Sequence, residues 1–176
     1  YTDNRETFAS QLEKFKKEAR RLHKLNNEHI VRVHDLFEEN GTAYYVMDYI
    51  DGENLSDRLN RTGKPLSEAE VMQLFPQILD ALETAHKEGI LYLDLKPENI
   101  LVSYGQTERI ELFDMDSLLR FPVRKSDHAR RISYSDGFAP IELQMGQLKK
   151  LTPATDVYGI GALLFCLLFG RTPSAA

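Results

Sequence analysis

The sequence predicts an α+β fold in which helices predominate over a few short strands. Apolar residues recur every three or four positions in two long segments, which is the period of a buried helix face. Two short segments rich in β-branched and aromatic residues flank an Asn-Gly turn, which is typical of a hairpin. Strands and helices do not alternate regularly, so a parallel sheet of βαβ units is not expected.

The first elements are predicted to be a long helix and a hairpin. One helix face carries an apolar stripe: Phe8, Leu12, Phe15, Ala19, Leu22 and Leu25. Residues 30–37 and 43–49 are the predicted strands, and Asn40-Gly41 is their turn because these residues tolerate positive φ values. Asp51-Gly52 is expected to break the second strand, and a short helix is expected over 55–59.

A second long helix is predicted to begin at Ser67, which forms a capping box with Glu70 three residues later. Its apolar stripe is Val71, Leu74, Phe75, Ile78, Leu82 and Ala85. Pro76 lies inside this stripe and is expected to kink or split the helix, because proline has no N–H to donate. Lys87-Glu88-Gly89 is its predicted end.

The second half of the chain is predicted to contain a small hairpin, a long loop and a buried helix. The hairpin strands are 100–102 and 109–113, and the loop 115–140 has no sustained period. Thr152 and Pro153 suit the start of the last helix. Its apolar run, 157–169, is too short to cross about 30 Å of hydrocarbon, so no membrane span is expected.

Composition narrows the functional classes. The 176 residues include 22 Lys and Arg against 27 Asp and Glu, a net charge of −5, so a general nucleic-acid binder is not expected. The only cysteine, Cys166, excludes an intramolecular disulfide and a multi-cysteine zinc site. Such cysteine usage suits a reducing compartment, so a cytoplasmic location is expected, with any membrane anchor lying in segments outside this one.

One loop concentrates the residues suited to catalysis. Asp94, Lys96 and Asn99 lie close together between apolar flanks, and Asp114 follows the next predicted hairpin, with Asp116 two residues later. Mg²⁺ prefers hard oxygen ligands, typically one or two carboxylates together with substrate phosphates. A remaining acid could orient a hydroxyl while the lysine balances negative charge. The pattern therefore favours metal-assisted phosphoryl transfer, although Asp116 reads more readily as a surface turn residue.

Six segments, in one order along the chain, resemble the protein kinase family, and most closely the bacterial Ser/Thr kinases of eukaryotic type. They are Glu18, 46–49, 94–99, Asp114, 137–142 and 156–161. The resemblance implies a protein-kinase-like fold with a mainly helical C-lobe and a partial N-lobe. Residues 1–49 would be the partial N-lobe, with the family's αC helix and its fourth and fifth strands. Residues 50–53 would be the hinge, and 54–176 a partial C-lobe ending after the central helix.

The resemblance also implies roles for individual residues. Asp94 would accept or orient the proton of the substrate hydroxyl, Lys96 would contact the transferring phosphoryl group, and Asn99 and Asp114 would hold Mg²⁺. The implied ATP contacts are Glu18, Met47, Asp48, Ile50, Glu53 and Leu101. Ser135 and Glu142 would belong to the substrate and activation segment. The implied partner is a protein with a Ser or Thr acceptor.

Several positions depart from the family pattern. Tyr92-Leu93 replaces His-Arg, so activation is not expected to depend on phosphate docking there, and Met115-Asp116 replaces Phe-Gly. The first glycine is Gly41, so no Gly-rich loop precedes the first helix. The strand lysine that pairs with the αC glutamate in the family, here Glu18, is missing too. The segment is therefore expected to be truncated at both ends and inactive alone, and Glu142 is expected to lack its arginine partner.

Two other functions stay open. The departures favour a pseudokinase that binds partners without catalysis. A small-molecule phosphotransferase of the aminoglycoside-kinase type would share the loop aspartate and asparagine, although Lys96-Pro97 favours a peptide substrate. Glu18 could also be an ordinary i,i+4 partner of a neighbouring lysine.

Overall fold

The computed structural model describes residues 2–105, 107–113, 117–123, 132 and 134–174, with side chains from residue 8 onward. The helices are α1 (Thr2–Leu22), α2 (Leu55–Thr62), α3 (Glu68–Lys87), α4 (Ile141–Gln144) and α5 (Pro153–Phe169). The strands are β1 (Val33–Glu39), β2 (Thr42–Met47), β3 (Gly52–Asn54), β4 (Ile90–Leu91), β5 (Ile100–Ser103), β6 (Ile110–Leu112) and β7 (Leu119–Arg120). Within these ranges no helix is both long and apolar enough to cross a membrane.

The α+β class is confirmed, and α3 and α5 begin where the sequence predicts, whereas α1 ends at Leu22, before the last residue of its predicted stripe, Leu25. Ser67 and Glu70 form the expected capping box at the start of α3. The expectation that Pro76 could split this helix is wrong, because α3 runs unbroken to Lys87. Pro76 lies on the exposed side of the helix, where water can satisfy the carbonyl group that loses its partner, while Leu74 and Ile78 stay fully buried on the other side.

The strands form three small sheets. β1 and β2 pair antiparallel around Asn40-Gly41, both with positive φ, as the sequence predicts. β3, β5 and β6 form a three-stranded sheet, and β4 pairs with β7. The expected break at Gly52 is only partly right, because Gly52 begins β3. A Cβ atom at this position would lie 2.2 Å from the Val102 carbonyl oxygen, so glycine permits the close approach.

Two apolar clusters position the loop that follows β4. The main core joins α1, the hairpin, α3 and α5; its members include Leu22, Val33, Leu74, Ile78, Leu112, Leu163 and Leu167. A second cluster, called here the activation-segment cluster, consists of Leu91, Leu93, Leu119, Ile132, Ala139, Leu143, Leu148 and Leu151. The main core continues across the predicted hinge at 50–53, so the lobe boundaries stay predictions.

Candidate active site

The loop after β4 brings three of the predicted residues into direct contact. Asp94 and Asn99 are 7% and 4% exposed. The Lys96 ammonium lies 2.8 Å from Asp94 Oδ2. The Asn99 amide nitrogen donates to the Asp94 carbonyl at 2.9 Å and to its Oδ2 at 3.3 Å. A 3-10 turn at Pro97–Asn99 folds the loop back and places the amide against the acid.

Asp94 keeps one carboxylate oxygen uncommitted. Oδ1 is buried and has no hydrogen-bond partner among the residues the structure describes. A buried acceptor without a donor costs roughly 1–3 kcal/mol, so a bound hydroxyl or cation would be stabilised there. Since the Asn99 nitrogen is used twice as a donor, its Oδ1 is the atom that remains for a metal ion. Both features fit a magnesium–phosphate ligand.

Ser135 lies against the same cluster. Its hydroxyl oxygen is 3.0 Å from the Lys96 ammonium, although the two residues are 39 positions apart. Lys96 therefore connects the acid to the segment that the resemblance assigns to the substrate. The resemblance implies a hydroxyl at this place, between the catalytic-type aspartate and a peptide substrate; that role of Ser135 stays a prediction.

Asp156, at the start of α5, holds the loop from below. It is 1% exposed, and its carboxylate accepts hydrogen bonds from the Tyr92 and Leu93 backbone N–H groups at 2.9 and 2.8 Å. His86 Nε2 contacts the same carboxylate at 2.6 Å. Leu93 has a φ of +67°, a left-handed conformation that costs a non-glycine residue about 1–2 kcal/mol. These hydrogen bonds offset that cost immediately before Asp94.

Sequence reasoning assigned Asp156 to the central helix but gave it no role in the site. The available signal was an acid in the first turn of an otherwise apolar helix, a position where burial demands a partner. Two of its partners are backbone N–H groups and the third is the His86 side chain; all are more than 60 residues away, and no spacing in the sequence points to them.

Asp114 lies outside the described residues, as do Met115 and Asp116. Phe113, the residue before Asp114, is held by two hydrogen bonds: its N–H donates to the Asn99 carbonyl at 3.1 Å, and its carbonyl accepts from the Tyr92 hydroxyl. In the part of the chain that the structure describes, no group of three or more His, Cys, Asp or Glu side chains could hold a metal. The predicted Asn99–Asp114 pair therefore stays a prediction.

Of the predicted nucleotide contacts, Glu18 lies on α1, and the others end or follow β2 or lie on the three-stranded sheet. The Asp48 N–H donates to the Arg32 carbonyl at 3.1 Å. Within the described ranges no hydrogen bond reaches the Asp48 carbonyl or leaves the Ile50 N–H. Met47 ends β2, and Leu101 lies in β5 opposite Asn54. The resemblance implies that the backbone groups of Asp48 and Ile50 meet adenine. Among the described residues, the Asp48 carbonyl and the Ile50 N–H thus have no protein partner.

Glu53 is already engaged. Both of its carboxylate oxygens accept from the Arg61 guanidinium, at 2.7 and 3.0 Å. This fork-like pair holds the pKa of Glu53 below its ordinary value. A contact of Glu53 with a ribose would compete with Arg61.

Two further predicted residues also have protein partners. Glu18 is 4% exposed on α1, and its Oε1 lies 3.9 Å from the Lys14 ammonium one turn earlier. The i,i+4 pair with a neighbouring lysine, which the sequence analysis allows for, is therefore present. Glu142 accepts a hydrogen bond from the Thr155 hydroxyl at 3.4 Å, and the expected lack of its arginine partner stays a prediction. Thr155, in the first turn of α5, thus contacts Glu142.

Comparisons with known proteins agree with this geometry. A family model described as the protein kinase domain matches residues 2–176. The chain is 31% identical over 162 residues to the serine/threonine-protein kinase PrkC of Bacillus subtilis, covering 92% of the chain and 24% of that protein. It is 29% identical over 160 residues to the probable serine/threonine-protein kinase PknB of Lactococcus lactis, covering 91% and 25%. A solved structure described as the PpkA-294 apo form matches with a TM-score of 0.80 and 32% identity, covering 97% of the chain and 58% of that structure.

The chain belongs to the protein kinase domain family. The fold that the resemblance implied, a protein-kinase-like α+β fold with a few N-lobe strands and several helices, is confirmed. The chain spans about a quarter of the length of the two curated bacterial relatives named above.

Proposed function

We propose that the protein carrying this chain transfers the γ-phosphoryl group of ATP to Ser or Thr hydroxyls of other proteins, with Mg²⁺. The observation that carries the proposal is the buried Asp94 carboxylate, with Oδ1 uncommitted and Oδ2 against the Lys96 ammonium. One atom can accept a hydroxyl proton while the adjacent cation faces the phosphoryl group. The two bacterial relatives named above carry serine/threonine-protein kinase in their names.

Each residue of the loop has a defined task in this proposal. Magnesium, when bound, neutralises charge on the phosphate oxygens. The groups that would hold it are Asn99 Oδ1 and the Asp114 carboxylate. Asp94 Oδ1 accepts the hydrogen bond of the acceptor hydroxyl and then its proton, and Lys96 stabilises the negative charge that develops on the phosphoryl oxygens.

The Lys96–Ser135 contact favours a protein acceptor over a small molecule. Ser135 belongs to the segment that leads into the Gly137–Glu142 motif, and Lys96 holds its hydroxyl beside Asp94. A peptide backbone passing this segment would meet the serine and the lysine together. The 176 residues alone are expected to transfer phosphate poorly, since their sequence has no glycine before Gly41 and so supplies no Gly-rich phosphate loop.

The test is transfer from radiolabelled ATP by the full-length protein to casein and, separately, to kanamycin. Label on casein and not on kanamycin is expected. Asp94→Asn should lower the rate at least about a hundredfold, the usual contribution of a general base. Asp80→Asn, on the exposed side of α3, is the matched control and should leave the rate unchanged.

Other outcomes would identify the rival functions. Label on kanamycin alone would mean a small-molecule phosphotransferase. A wild-type protein that transfers no label, even though Mg-ATP raises its melting temperature, would be a pseudokinase.

We also propose that activity does not depend on a phosphate docked beside the loop. Leu93 is 5% exposed within the activation-segment cluster, where a leucine offers no charge to a phosphate. Phosphatase treatment of the full-length protein should therefore leave its initial rate unchanged. A rate that falls on treatment and returns with a phosphomimetic acid at Ser126 or Ser133 would contradict this.

A further inference from the structure

His34, in β1, contacts the side chain of Asp48, the residue that begins the connection between β2 and β3 (residues 48–51, called here the β2–β3 connection). Its ring nitrogen Nε2 lies 2.6 Å from Asp48 Oδ1, across 14 positions of the sequence. An ionised carboxylate only accepts hydrogen bonds, so Nε2 carries the proton and donates. The contact therefore ties β1 to a residue whose backbone the resemblance assigns to adenine.

An irregularity in the pairing of β1 with β2 occurs at His34. Between Val33 and Asp35 the register advances two positions on β1 but only one on β2, so His34 is an extra residue. Such a bulge redirects a side chain locally, and bulges are over-represented next to active sites. Here the imidazole of the extra residue is the group that reaches Asp48.

The β2–β3 connection is held at both ends. At its start the Asp48 N–H donates to the Arg32 carbonyl at 3.1 Å, and at its end the Asp51 carbonyl accepts from the Tyr104 N–H at 2.8 Å. Both are backbone hydrogen bonds, which do not depend on the side chains at these positions. Among the described residues, His34 makes the only side-chain hydrogen bond to the connection, so it is the contact that the sequence can alter.

We infer that His34 is a positioning residue, which holds the main chain of the β2–β3 connection where the nucleotide base binds. The Asp48 carbonyl and the Ile50 N–H have no protein partner among the described residues, so their direction depends on how the connection is held. The nucleotide part of the inference rests on the proposed function. Sequence reasoning gave His34 no role, because the bulge that turns it toward Asp48 is not visible in residue identities.

The exposure of the pair sets the size of the expected effect. The side chains of His34 and Asp48 are 44% and 47% exposed. Solvent and salt weaken a pair with this exposure, so its loss should change ATP affinity by a few fold and not by orders of magnitude.

The binding test measures the ATP affinity of the full-length protein by calorimetry with Mg²⁺ present. His34→Leu removes the donor and should weaken ATP binding about three- to fivefold. It should leave kcat at saturating ATP unchanged, because the loop at Asp94 keeps its own contacts. His34→Gln, whose amide nitrogen can take the position of Nε2, should recover most of the affinity.

Asp35→Asn is the matched control. Asp35 is the neighbouring side chain of the same bulge, and its Oδ1 accepts from the Leu36 N–H at 2.8 Å, an acceptor that asparagine keeps. The variant should bind ATP as wild type does. Equal weakening by Asp35→Asn, or unchanged ATP affinity in a His34→Leu protein with a lowered melting temperature, would overturn the inference.

A double-mutant cycle shows whether the effect comes from the pair. Asp48→Ala removes the acceptor and should weaken ATP binding as much as His34→Leu does, and the double variant should lose no more than either single variant. Losses that multiply in the double variant would mean that the two side chains act separately, against the inference.

Amide hydrogen exchange without nucleotide keeps the two proposals separable. His34→Leu should speed exchange in peptides that span residue 48, because the hydrogen bond from the Asp48 N–H to Arg32 opens more often, and Asp35→Asn should not. A wild-type protein without kinase activity would defeat the proposed function, while faster exchange in His34→Leu would uphold the hold on the connection. Unchanged exchange in His34→Leu would refute the inference even in an active kinase.

Discussion

Replacement of Asp156 by asparagine tests whether the acid holds the catalytic-type loop. Its carboxylate accepts three hydrogen bonds, from two backbone N–H groups of the loop and from His86. Asparagine has the same shape but only one acceptor oxygen, so its NH₂ group must face an N–H donor. At least one buried loop N–H then loses its partner.

The expected loss can be worked from these contacts. An unsatisfied buried donor costs about 1–3 kcal/mol. The left-handed Leu93, at φ +67°, is unfavourable by about 1–2 kcal/mol in the wild-type protein already, so it adds nothing to the difference between the two proteins. The free energy of unfolding should therefore fall by about 1–3 kcal/mol, or roughly 2–12 °C in melting temperature for a domain of this size.

Thermal melting of the full-length protein, followed by far-UV circular dichroism, is the assay. Asp80→Asn is again the matched control, because Asp80 is exposed on α3 and, among the described residues, its carboxylate is hydrogen-bonded by Asn27 alone. It should change the free energy of unfolding by less than about 0.5 kcal/mol. If Asp156→Asn melts together with wild type, the loop is held by its own sequence and the reasoning fails.

Three further predictions concern single side chains. The hydrogen bond from the Ser67 backbone N–H is the largest influence that holds the pKa of Glu70 below its ordinary value of 4.5. Ionised Glu70 therefore stabilises the fold above its unfolded pKa, and this contribution is lost as pH falls through the folded pKa. In urea unfolding at stepped acid pH, the free energy of unfolding of Glu70→Gln should depend less steeply on pH than that of wild type, and an equal slope would contradict the prediction. Gly52→Ala should destabilise the protein by about 1–3 kcal/mol or more, since the new Cβ would lie 2.2 Å from the Val102 carbonyl oxygen, and a urea midpoint equal to wild type would refute the close approach. Burial raises the pKa of the Cys166 thiol, so iodoacetamide should alkylate it slowly in the folded protein and rapidly in urea, and equal rates would show that the thiol is accessible.

The sequence predicts the local features of the site well. Asp94, Lys96 and Asn99 lie within six residues, so their chemistry and spacing are visible without coordinates, and their mutual contacts are present. The capping box at Ser67 and the turn at Asn40 are equally local, since each depends on residues that are neighbours in sequence.

Contacts between distant residues were not predictable. β4 and β7 are two residues long, too short to show alternation, and they exist only because they pair with each other. Gly52 reads as a strand breaker, although its missing side chain is what lets β3 approach β5. Two of the groups that bind Asp156 are backbone N–H groups, which leave no trace in residue identity.

The left-handed backbone at Leu93 separates two demands on a single position. The main chain there is fixed by α5 beneath it, whatever side chain it carries. The side chain only has to fit the apolar activation-segment cluster, most of which comes from residues after the loop. A change at this position between a charged and an apolar side chain, with matching changes in the cluster around it, is therefore expected to leave the main chain before Asp94 in place.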